Sequence, residues 1–550
     1  MSNLSKIRRD KMIEFLETLK EQHSDDESLI AINQIEKELV SKRYGLVWEE
    51  HEEAVDVMMR DNIPVFTETK EREICMMPGE DYNFLLEGDN LHSLHLLEKT
   101  HRGKVDVIYI DPPYNTGGKD FVYNDTCIDR TDGYRHSKWL SFMYERLVIA
   151  KKLMSDIGLI FISIDDNEVA QLKLLCNEIF GEENFRGQIA RGTGTPTGQG
   201  NAILSNEIDY ILVYAKTQQA FFNGLPFDDE SSKIYNLEDE YGKYLNRPLR
   251  KTGGEDRRED RPSMFYPIKA PDGTDIYPIA PSGYESRWRC QKSTYEQLCK
   301  EHRIEWKRDE SGWKIYQKFY LEGRTKQPGN LWSNVEGNKK ATITIKNIMG
   351  TSGFSFPKPV EVIVRILQIA GNKDSVVLDF FAGSGTTAQA VLELNKEDGG
   401  QRKFILCTNN ENNICEEITY QRIKTVITGK RQDGSEYSEG IPANLKYYHT
   451  DFVPKSEEYI ADSLLNHVTE MIQLEHGVRI DDDSYIMIVS DDEADELEKK
   501  WNEYTDIKAI YFSQDVLLTA SQEALFGRVD TYIIPDYYFN FELREAGELW

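Results

Sequence analysis

Two short motifs in this sequence place a carboxylate beside residues suited to holding a ligand. The first is Asp111-Pro112-Pro113-Tyr114, which directly follows the apolar run VDVIYI at 105–110. Two prolines remove backbone donors and fix φ, so a strand must stop there and its next carbonyls point outward. An exocyclic amine could donate to Asp111 and to the Pro112 carbonyl while its ring stacks on Tyr114. The alternative interpretation is a plain strand-ending turn.

The second motif is DFFAGSGTT at 379–387, again a strand, a glycine-rich turn and a helix start. Glycines let the backbone approach a ligand closely, and a helix start supplies free N–H groups. The motif lacks the G-K-[ST] of a P-loop and the third glycine of a dinucleotide fingerprint. It therefore suits a nucleoside-bearing cofactor without pyrophosphate, held by Asp379, Phe381, Gly383, Gly385 and Thr386.

The surrounding elements predict an α/β fold with a parallel sheet. Near-continuous apolar runs such as GLIFISI (158–164) and IDYILVYA (208–215) are typical of strands covered on both faces. Segments with helical periodicity lie between them, and this alternation returns over residues 355–430. Both motifs follow such strands, and ligands of α/β proteins bind at the carboxyl ends of the strands.

Charge is unevenly distributed along the 550 residues, which carry a formal net charge of −29. Residues 241–340 hold 21 Lys and Arg against 14 Asp and Glu, interleaved with aromatic residues. Basic and aromatic residues together suit a surface that meets nucleic acid, although an ordinary solvated insert has the same composition. Residues 451–550 hold 24 acidic and 7 basic residues, which predicts a unit that avoids phosphate.

The composition predicts a cytoplasmic protein of several domains. The mean hydropathy is −0.57, and no apolar run approaches the roughly 20 residues that a bilayer requires. The seven cysteines contain no C-x-x-C pair, so we expect reduced thiols, neither a disulfide framework nor a metal site.

The two motifs together resemble the amino-methyltransferases that modify DNA bases with S-adenosylmethionine. The catalytic motif precedes the cofactor motif with a basic insert between them, an order similar to that of the permuted beta class. The resemblance covers roughly residues 80–430. It implies a Rossmann-like domain with a mostly parallel seven-stranded sheet, an inserted target-recognition domain, N-terminal helices and a small C-terminal α/β domain.

The resemblance also assigns roles to residues outside the two motifs. Asp89 and Asn90 lie where the family has an acidic loop near the cofactor, and Lys358 lies in its segment near the methionine moiety. Glu411 stands where an acidic residue usually binds the ribose hydroxyls. Asp111, Pro112, Pro113 and Tyr114 would form the catalytic quartet, which requires no metal.

Longer segments resemble one subgroup, the modification subunits of type III restriction–modification systems. They include YGLVWEEHEE (44–53), DPPYNTGGKDFVYND (111–125) and DRPSMFYPI (260–268). The resemblance implies a prokaryotic protein that acts on double-stranded DNA, forms a homodimer and can join a helicase–nuclease restriction subunit.

The implied reaction is methylation of the N6 amine of an adenine flipped out of the duplex. Cytosine N4 methylation is the nearest alternative, although relatives acting on cytosine more often carry Ser at the position of Asp111. A cofactor-stabilised DNA-recognition subunit without turnover is an alternative of a different class, and a methyltransferase acting on RNA or a protein amide is another.

We expect five segments. They are an N-terminal helical segment (1–70), a catalytic half (71–225), a basic target-recognition domain (226–345), a cofactor-binding half (346–440) and an acidic C-terminal α/β domain (441–550). Candidate DNA-binding residues in the basic insert are Arg247, Arg250, Lys251, Arg257, Arg258 and Arg261. Several of these arginines could instead pair with neighbouring acidic residues.

Overall fold

The computed structural model divides the chain into two compact units. One comprises residues 1–221 and 329–550, and the other comprises residues 222–328. The residues that the structure describes are 4–23, 25–40, 48–118, 121–123, 126–194, 207–227, 229–310, 312–350, 354, 356–480, 484–504 and 506–548.

The strands follow the apolar runs of the sequence closely. In chain order they are β1 (Asn62–Glu68), β2 (Ile74–Cys75), β3 (Tyr82–Glu87), β4 (Val105–Ile110), β5 (Val122–Tyr123), β6 (Thr126–Cys127), β7 (Met154–Ile164), β8 (Phe185–Gly192), β9 (Ile208–Ala215), β10 (Leu225–Pro226), β11 (Leu237–Asp239), β12 (Gly242–Pro248), β13 (Ile268–Lys269), β14 (Asp275–Ile276), β15 (Ile304–Asp309), β16 (Gly312–Tyr320), β17 (Thr325–Lys326), β18 (Leu331–Trp332), β19 (Val376–Asp379), β20 (Lys403–Thr408), β21 (Asn444–Pro454), β22 (Tyr485–Ile488), β23 (Ala509–Ser513) and β24 (Asp530–Ile534).

The α-helices alternate with these strands in the first unit. They are α1 (Leu4–Gln22), α2 (Asp26–Val40), α3 (Ala54–Asp61), α4 (Asn90–His101), α5 (Arg135–Leu153), α6 (Val169–Phe180), α7 (Asp229–Ser232), α8 (Lys292–Lys300), α9 (Asn338–Met349), α10 (Val360–Ile369), α11 (Thr386–Asp398), α12 (Tyr420–Thr428), α13 (Ile460–Leu465), α14 (Val468–His476), α15 (Asp491–Lys500), α16 (Ala520–Phe526) and α17 (Asp536–Ala546).

A large mixed sheet forms the centre of the first unit. Within the described residues its strand order is β1-β21-β3-β20-β19-β4-β7-β9-β8-β18, with β2 also pairing with β21. The seven strands β3, β20, β19, β4, β7, β9 and β8 are parallel except for β9, which runs antiparallel to β7 and β8. The predicted α/β methyltransferase-like fold is confirmed, and further strands extend the predicted seven-stranded sheet at both edges.

The edge strands come from segments that the sequence assigned to other domains. Strand β1 lies in the predicted N-terminal helical segment, and β21 lies in the predicted C-terminal domain; the two pair antiparallel. The remaining C-terminal residues form a separate parallel sheet, β22-β23-β24. Sequence patterns missed the edge strands because their pairing partners are nearly 400 residues away. The five-segment division stays a prediction.

Apolar side chains from both faces bury the central sheet. Leu147, Ile160 and Leu378 are fully buried in one cluster that includes helices α4 and α5. Such burial supplies roughly 1.5–3 kcal/mol for each large aliphatic side chain, which fixes the strands that carry the two motifs. Among the described residues, no helix is both long enough and apolar enough to cross a membrane.

The inserted unit has a four-stranded antiparallel sheet, β11-β12-β16-β15. Its small core packs Leu249, Tyr266, Ile268, Trp288 and Ile315 together. The indole of Trp288 donates a 2.8 Å hydrogen bond to the Tyr266 carbonyl, so this buried polar group is satisfied. The unit thus has its own apolar core beneath a largely polar surface.

Candidate active site

The two predicted motifs lie at the same edge of the central sheet. Strands β4 and β19 are parallel neighbours, with Val107 opposite Val377. The Asp111 motif follows β4, and the glycine-rich turn follows β19. Because the carboxyl ends of parallel strands meet at one edge, the fold brings the candidate catalytic and cofactor residues together.

The catalytic quartet is fixed by hydrogen bonds at both ends. The Tyr114 hydroxyl donates to Oδ1 of Asp111 at 2.9 Å, and the Trp139 indole donates to the Pro113 carbonyl at 2.7 Å. Burial, followed by the nearby Asp111 carboxylate, raises the pKa of Tyr114 well above its ordinary value. Tyr114 is therefore a neutral hydrogen-bond donor, and Asp111 is an oriented acceptor.

Lys358 lies against the catalytic quartet. Its Nζ donates to Oδ1 of Asp111 at 2.7 Å and to the Tyr114 hydroxyl oxygen at 2.5 Å. The Lys358 side chain is 11% exposed and that of Asp111 is 25% exposed, so water screens this ion pair only in part. The family resemblance predicted Lys358 near the methionine moiety of the cofactor, and the structure also brings its ammonium to the candidate catalytic carboxylate of Asp111.

A buried polar cluster supports the residue after Tyr114. Asn115 has a left-handed φ of 56°, and its Nδ2 donates to Oε1 of Glu168 at 2.5 Å. Nδ1 of His136 lies 2.5 Å from the same oxygen. Burial raises the pKa of Glu168 to about 8. This carboxyl group is therefore largely protonated at neutral pH, and it holds the end of the catalytic motif in place.

Asp379 ends strand β19 beneath the glycine-rich turn. Its Oδ1 accepts from the Phe381 backbone N–H at 3.0 Å, and its Oδ2 accepts from the Thr387 hydroxyl at 2.5 Å. Burial raises its pKa to about 7. Gly383 and Gly385 adopt φ of 49° and 73°, a region that side chains disfavour. Asp379 thus shapes the turn from below.

Arg422 of helix α12 holds the glycine-rich turn from behind. Its guanidinium donates to the Ser384 carbonyl at 3.2 Å, to the Ser384 hydroxyl at 2.9 Å and to the Thr386 hydroxyl at 2.8 Å. A π-helical turn precedes α12 and carries Thr419, whose hydroxyl donates to the Gly383 carbonyl at 2.5 Å. Burial lowers the pKa of Arg422 to about 10.

A second buried arginine connects the loop after β3 to this turn. Asp89 caps helix α4, and the Asn90 amide donates to the Phe380 carbonyl at 2.8 Å. Arg146 donates to Oδ1 of Asn90 at 2.5 Å and to Oδ1 of Asp89 at 3.3 Å. It also pairs with Glu53 at 2.6 Å. Asn90 therefore contacts the glycine-rich turn directly, and Asp89 is joined to it through Arg146 and Asn90.

The remaining predicted cofactor residues lie at the same edge. Glu411 is exposed just after β20, and Phe381 is half-buried, with its ring centroid 5.8 Å from that of Phe142. A cavity of about 420 Å³ also opens beside the ends of β3 and β20. Its lining residues are Thr69, Arg72, Glu87, Gly88, Asn410, Glu416, His449 and Thr450.

The inserted unit holds the candidate DNA-binding residues in two kinds of environment. Arg258 pairs with Glu285 at 2.7 Å, and Arg250 lies 4.0 Å from Asp256. Lys251 is half-buried, with its backbone N–H bonded to the Arg287 carbonyl. Within the described part of the chain, no carboxylate pairs with the remaining three, all of which are exposed: Arg247, Arg257 and Arg261.

Sequence reasoning missed several residues that build the site. Arg146, Glu168 and Arg422 carry no motif, and each acts through partners 30 or more residues away. Arg289 was also missed: burial lowers its pKa, and the neighbouring Arg247 and Arg287 lower it further. The RWR run at 287–289 was a sequence signal for Arg289, whereas no sequence pattern marked Arg146, Glu168 or Arg422.

The fold and the site together define a class of protein. A mostly parallel sheet carries an acidic Pro-Pro-Tyr quartet and, on the adjacent strand, a glycine-rich turn without a phosphate-binding lysine. This arrangement is that of the amino-methyltransferases. Residues 105–421 match the N6/N4 methyltransferase family, described as DNA methylase. The chain belongs to this family, which confirms the resemblance inferred from the motifs.

Two of the most similar relatives are type III modification subunits. The StyLTI Mod subunit of Salmonella typhimurium is 36% identical over 420 residues, which cover 69% of this chain and 62% of the relative. The EcoPI Mod subunit of Escherichia phage P1 is 34% identical, covering 70% of this chain and 68% of the relative. The chain thus spans about two thirds of the length of these relatives.

A third relative is a type II methyltransferase, M.KpnI of Klebsiella pneumoniae. It is 37% identical to this chain, and the match covers 61% of this chain and 82% of the relative. The relatives therefore come from two types of restriction–modification system, and the type III resemblance seen in the sequence is supported by the first two.

Proposed function

We propose that this chain transfers a methyl group from S-adenosylmethionine to the N6 amine of an adenine flipped out of double-stranded DNA. The observation that carries the proposal is the Asp111–Tyr114 quartet on β4, directly beside the glycine-rich turn on β19. A hydrogen-bond acceptor for an amine and a candidate binding site for a nucleoside cofactor are thus adjacent.

The donor set at this edge fits S-adenosylmethionine. Gly383 and Gly385 leave the turn without side chains where an adenosyl group would approach. Glu411 and Asp89 supply carboxylates for ribose hydroxyls and an ammonium group, and Lys358 supplies a cation for a carboxylate. When bound, S-adenosylmethionine would supply an electrophilic methyl group to the amine's lone pair: the N–CH3 bond would form as the S–CH3 bond breaks, S-adenosylhomocysteine would leave as a neutral thioether, and one N–H proton would pass to solvent.

The residues of the quartet would prepare the amine. Its lone pair is delocalised into the adenine ring, which makes it a poor nucleophile. Hydrogen bonds from the amine to Asp111 and to the Pro112 carbonyl would favour a pyramidal nitrogen, while Tyr114 stacks on the base. The remaining catalysis is positioning and electrostatics in a pocket that excludes water.

We further propose that the inserted unit recognises the DNA sequence. Exposed Arg247, Arg257 and Arg261, together with Arg289, offer cations to phosphates or guanine edges. Arg258 and Arg250 are partly neutralised by Glu285 and Asp256, so we expect them to contribute less.

We also propose that the chain works as the modification subunit of a type III system in a bacterial cytoplasm. By analogy with the Mod subunits named above, it would form a homodimer and join a helicase–nuclease restriction subunit. Size measurement of the purified chain, alone and with a co-expressed restriction subunit, tests both associations.

Mapping of modified bases in DNA from a host that expresses the protein tests the reaction. We expect N6-methyladenine at one sequence motif, and a loss of at least about 100-fold in Asp111→Ala. The exposed Asp492→Ala serves as the matched control. N4-methylcytosine instead would replace the adenine assignment. Tight DNA binding without any modified base would favour a recognition subunit without turnover.

A further inference from the structure

Lys358 occupies one oxygen of the carboxylate that the target amine would use. Its Nζ lies 2.7 Å from Oδ1 of Asp111 and 2.5 Å from the Tyr114 hydroxyl oxygen. It also lies 4.7 Å from the centroid of the Tyr114 ring. Oδ1 of Asp111 already accepts from Tyr114 as well, so its two lone pairs are both used. An amine therefore cannot bind Oδ1 until Lys358 or the Tyr114 hydroxyl releases it, and the Lys358 ammonium also lies over the ring on which the base would stack.

The main chain of Lys358 belongs to the cofactor side of the site. Its carbonyl accepts from the Thr386 hydroxyl at 3.4 Å, and Thr386 in turn accepts from buried Arg422 at 2.8 Å. One residue thus contacts the glycine-rich turn through its backbone and the catalytic carboxylate through its ammonium. This placement links events at the two halves of the active site.

We propose that Lys358 is a positioning residue that holds the place of the target amine until an anionic group binds on the cofactor side. This inference rests on the proposed function. A carboxylate at the amino-acid end of the cofactor would offer the ammonium a new partner. Asp111 and Tyr114 would then be released together for the base, so that cofactor binding precedes base entry.

The charges of Lys358 and Asp111 explain why the cofactor would bind before the base. A partly buried ammonium and a partly buried carboxylate each lose solvation, so separating them without a new partner is unfavourable. A neutral amine cannot replace the ammonium's full charge, whereas a cofactor carboxylate can replace the charge of Asp111. A ligand shifts such an equilibrium only through its differential affinity for the two arrangements, and this carboxylate supplies it.

Base entry can be followed with 2-aminopurine in place of the target adenine, because its fluorescence rises when the base leaves the stack. For the wild-type protein we expect a rise with sinefungin, which has the amino-acid end, and no rise with 5′-methylthioadenosine, which lacks it. In Lys358→Gln the fluorescence should rise even when neither compound is present, whereas Lys358→Arg should still require sinefungin. Lys396→Gln, exposed on α11, is the matched control.

A second measurement does not depend on DNA. Sinefungin affinity, measured by calorimetry, should fall about 10- to 100-fold in Lys358→Gln, the loss expected for one charge-assisted hydrogen bond. The affinity for 5′-methylthioadenosine should stay unchanged. This selective loss also distinguishes the inference from failure of the proposed function, which would appear as an absence of methylated DNA.

Three results would overturn the inference. They are a fluorescence rise in the wild-type protein with no compound, an equal rise with both compounds, and a requirement for sinefungin retained by Lys358→Gln. If Lys358→Gln does not fold, the comparison of the two compounds on the wild-type protein and on Lys358→Arg decides the question.

Discussion

The buried arginines of the methyltransferase unit and the exposed arginines of the inserted unit lie in opposite environments, although the inserted unit also buries Arg287. In the methyltransferase unit, Arg146, Arg191 and Arg422 are at most 1% exposed, and each donates to several fixed acceptors. In the inserted unit, Arg257 and Arg261 are exposed. Residue type alone therefore does not identify a nucleic-acid contact: burial separates arginines that hold loops from those free to meet phosphate.

The difference has an energetic basis. Removing one partner of a buried charged pair costs about 3–5 kcal/mol, because the other group stays buried without compensation. A surface ion pair contributes about 0–1 kcal/mol. Substitutions of buried charged residues in the first unit should therefore affect folding and cofactor binding, whereas those of exposed arginines in the second should affect DNA affinity.

Arg422→Met should have the largest effect. The buried acceptors Ser384 and Thr386 would lose their donor, so we expect the free energy of unfolding to fall by about 1–3 kcal/mol for each acceptor left unsatisfied. Cofactor binding should be lost with the shape of the glycine-rich turn. Denaturant unfolding and calorimetric titration with sinefungin measure the two effects.

The control for this substitution is Lys424→Met, which changes an exposed residue of the same helix. It should leave both quantities within experimental error of the wild-type values. If Arg422→Met bound sinefungin normally, Arg422 would have no role in holding the turn.

Glu53→Gln should have an intermediate effect. Glu53 accepts from Arg146 at 2.6 and 3.1 Å, and Arg146 in turn holds Asp89 and Asn90. Weakening this pair should lower the free energy of unfolding by about 1–3 kcal/mol and weaken sinefungin binding several-fold. Urea unfolding measures the loss of stability, with the exposed Glu49→Gln as the control. If the two variants were equally stable, the role of Glu53 would be contradicted.

Glu168 makes the stability of the methyltransferase unit depend on pH. Burial raises its pKa from an ordinary 4.5 to about 8. Between these values the unfolded chain has lost the proton that the folded chain keeps, so the free energy of unfolding should decrease as pH rises from about 4.5 to about 8. Glu168→Gln removes this titration and should flatten the profile.

Asp379 titrates in part of the same window, because burial raises its pKa to about 7. The informative quantity is therefore the difference in free energy of unfolding between the wild-type protein and Glu168→Gln at each pH. Exposed Glu178→Gln, on the helix α6 that begins directly after Glu168, should reproduce the wild-type slope. If Glu168→Gln does so as well, Glu168 is ionised in the folded protein and the assignment is wrong.

The sequence predicts the parts of the site that depend on local patterns. The run VDVIYI forms β4 from Val105 to Ile110, and DFFAGSGTT forms the predicted strand, turn and helix. Glycine at a positive φ and proline after a strand have local physical causes, so their positions can be read directly.

The missed parts depend on long-range contacts. Arg146 meets Glu53 across 93 positions and Lys358 meets Asp111 across 247, and no periodicity encodes such pairs. The family resemblance placed Lys358 near the cofactor, but only the folded chain brings its ammonium to the catalytic carboxylate. Strand β21 escaped for the same reason, since its pairing with the edge strand β1 is set by the completed sheet.

Single arginine substitutions in the inserted unit should have the smallest effects. Arg247→Ala removes an exposed cation without a carboxylate partner among the described residues, so one phosphate contact should be lost and the salt slope of DNA binding should decrease by about 0.9. The free energy of unfolding should change by no more than about 0.5 kcal/mol. Arg258→Ala should change the slope less, because Glu285 already neutralises Arg258. Filter-binding titrations at several salt concentrations give the salt slope for each variant. If Arg258→Ala lowered this slope as much as Arg247→Ala or more, exposure and ion pairing would not identify the arginines that contact DNA.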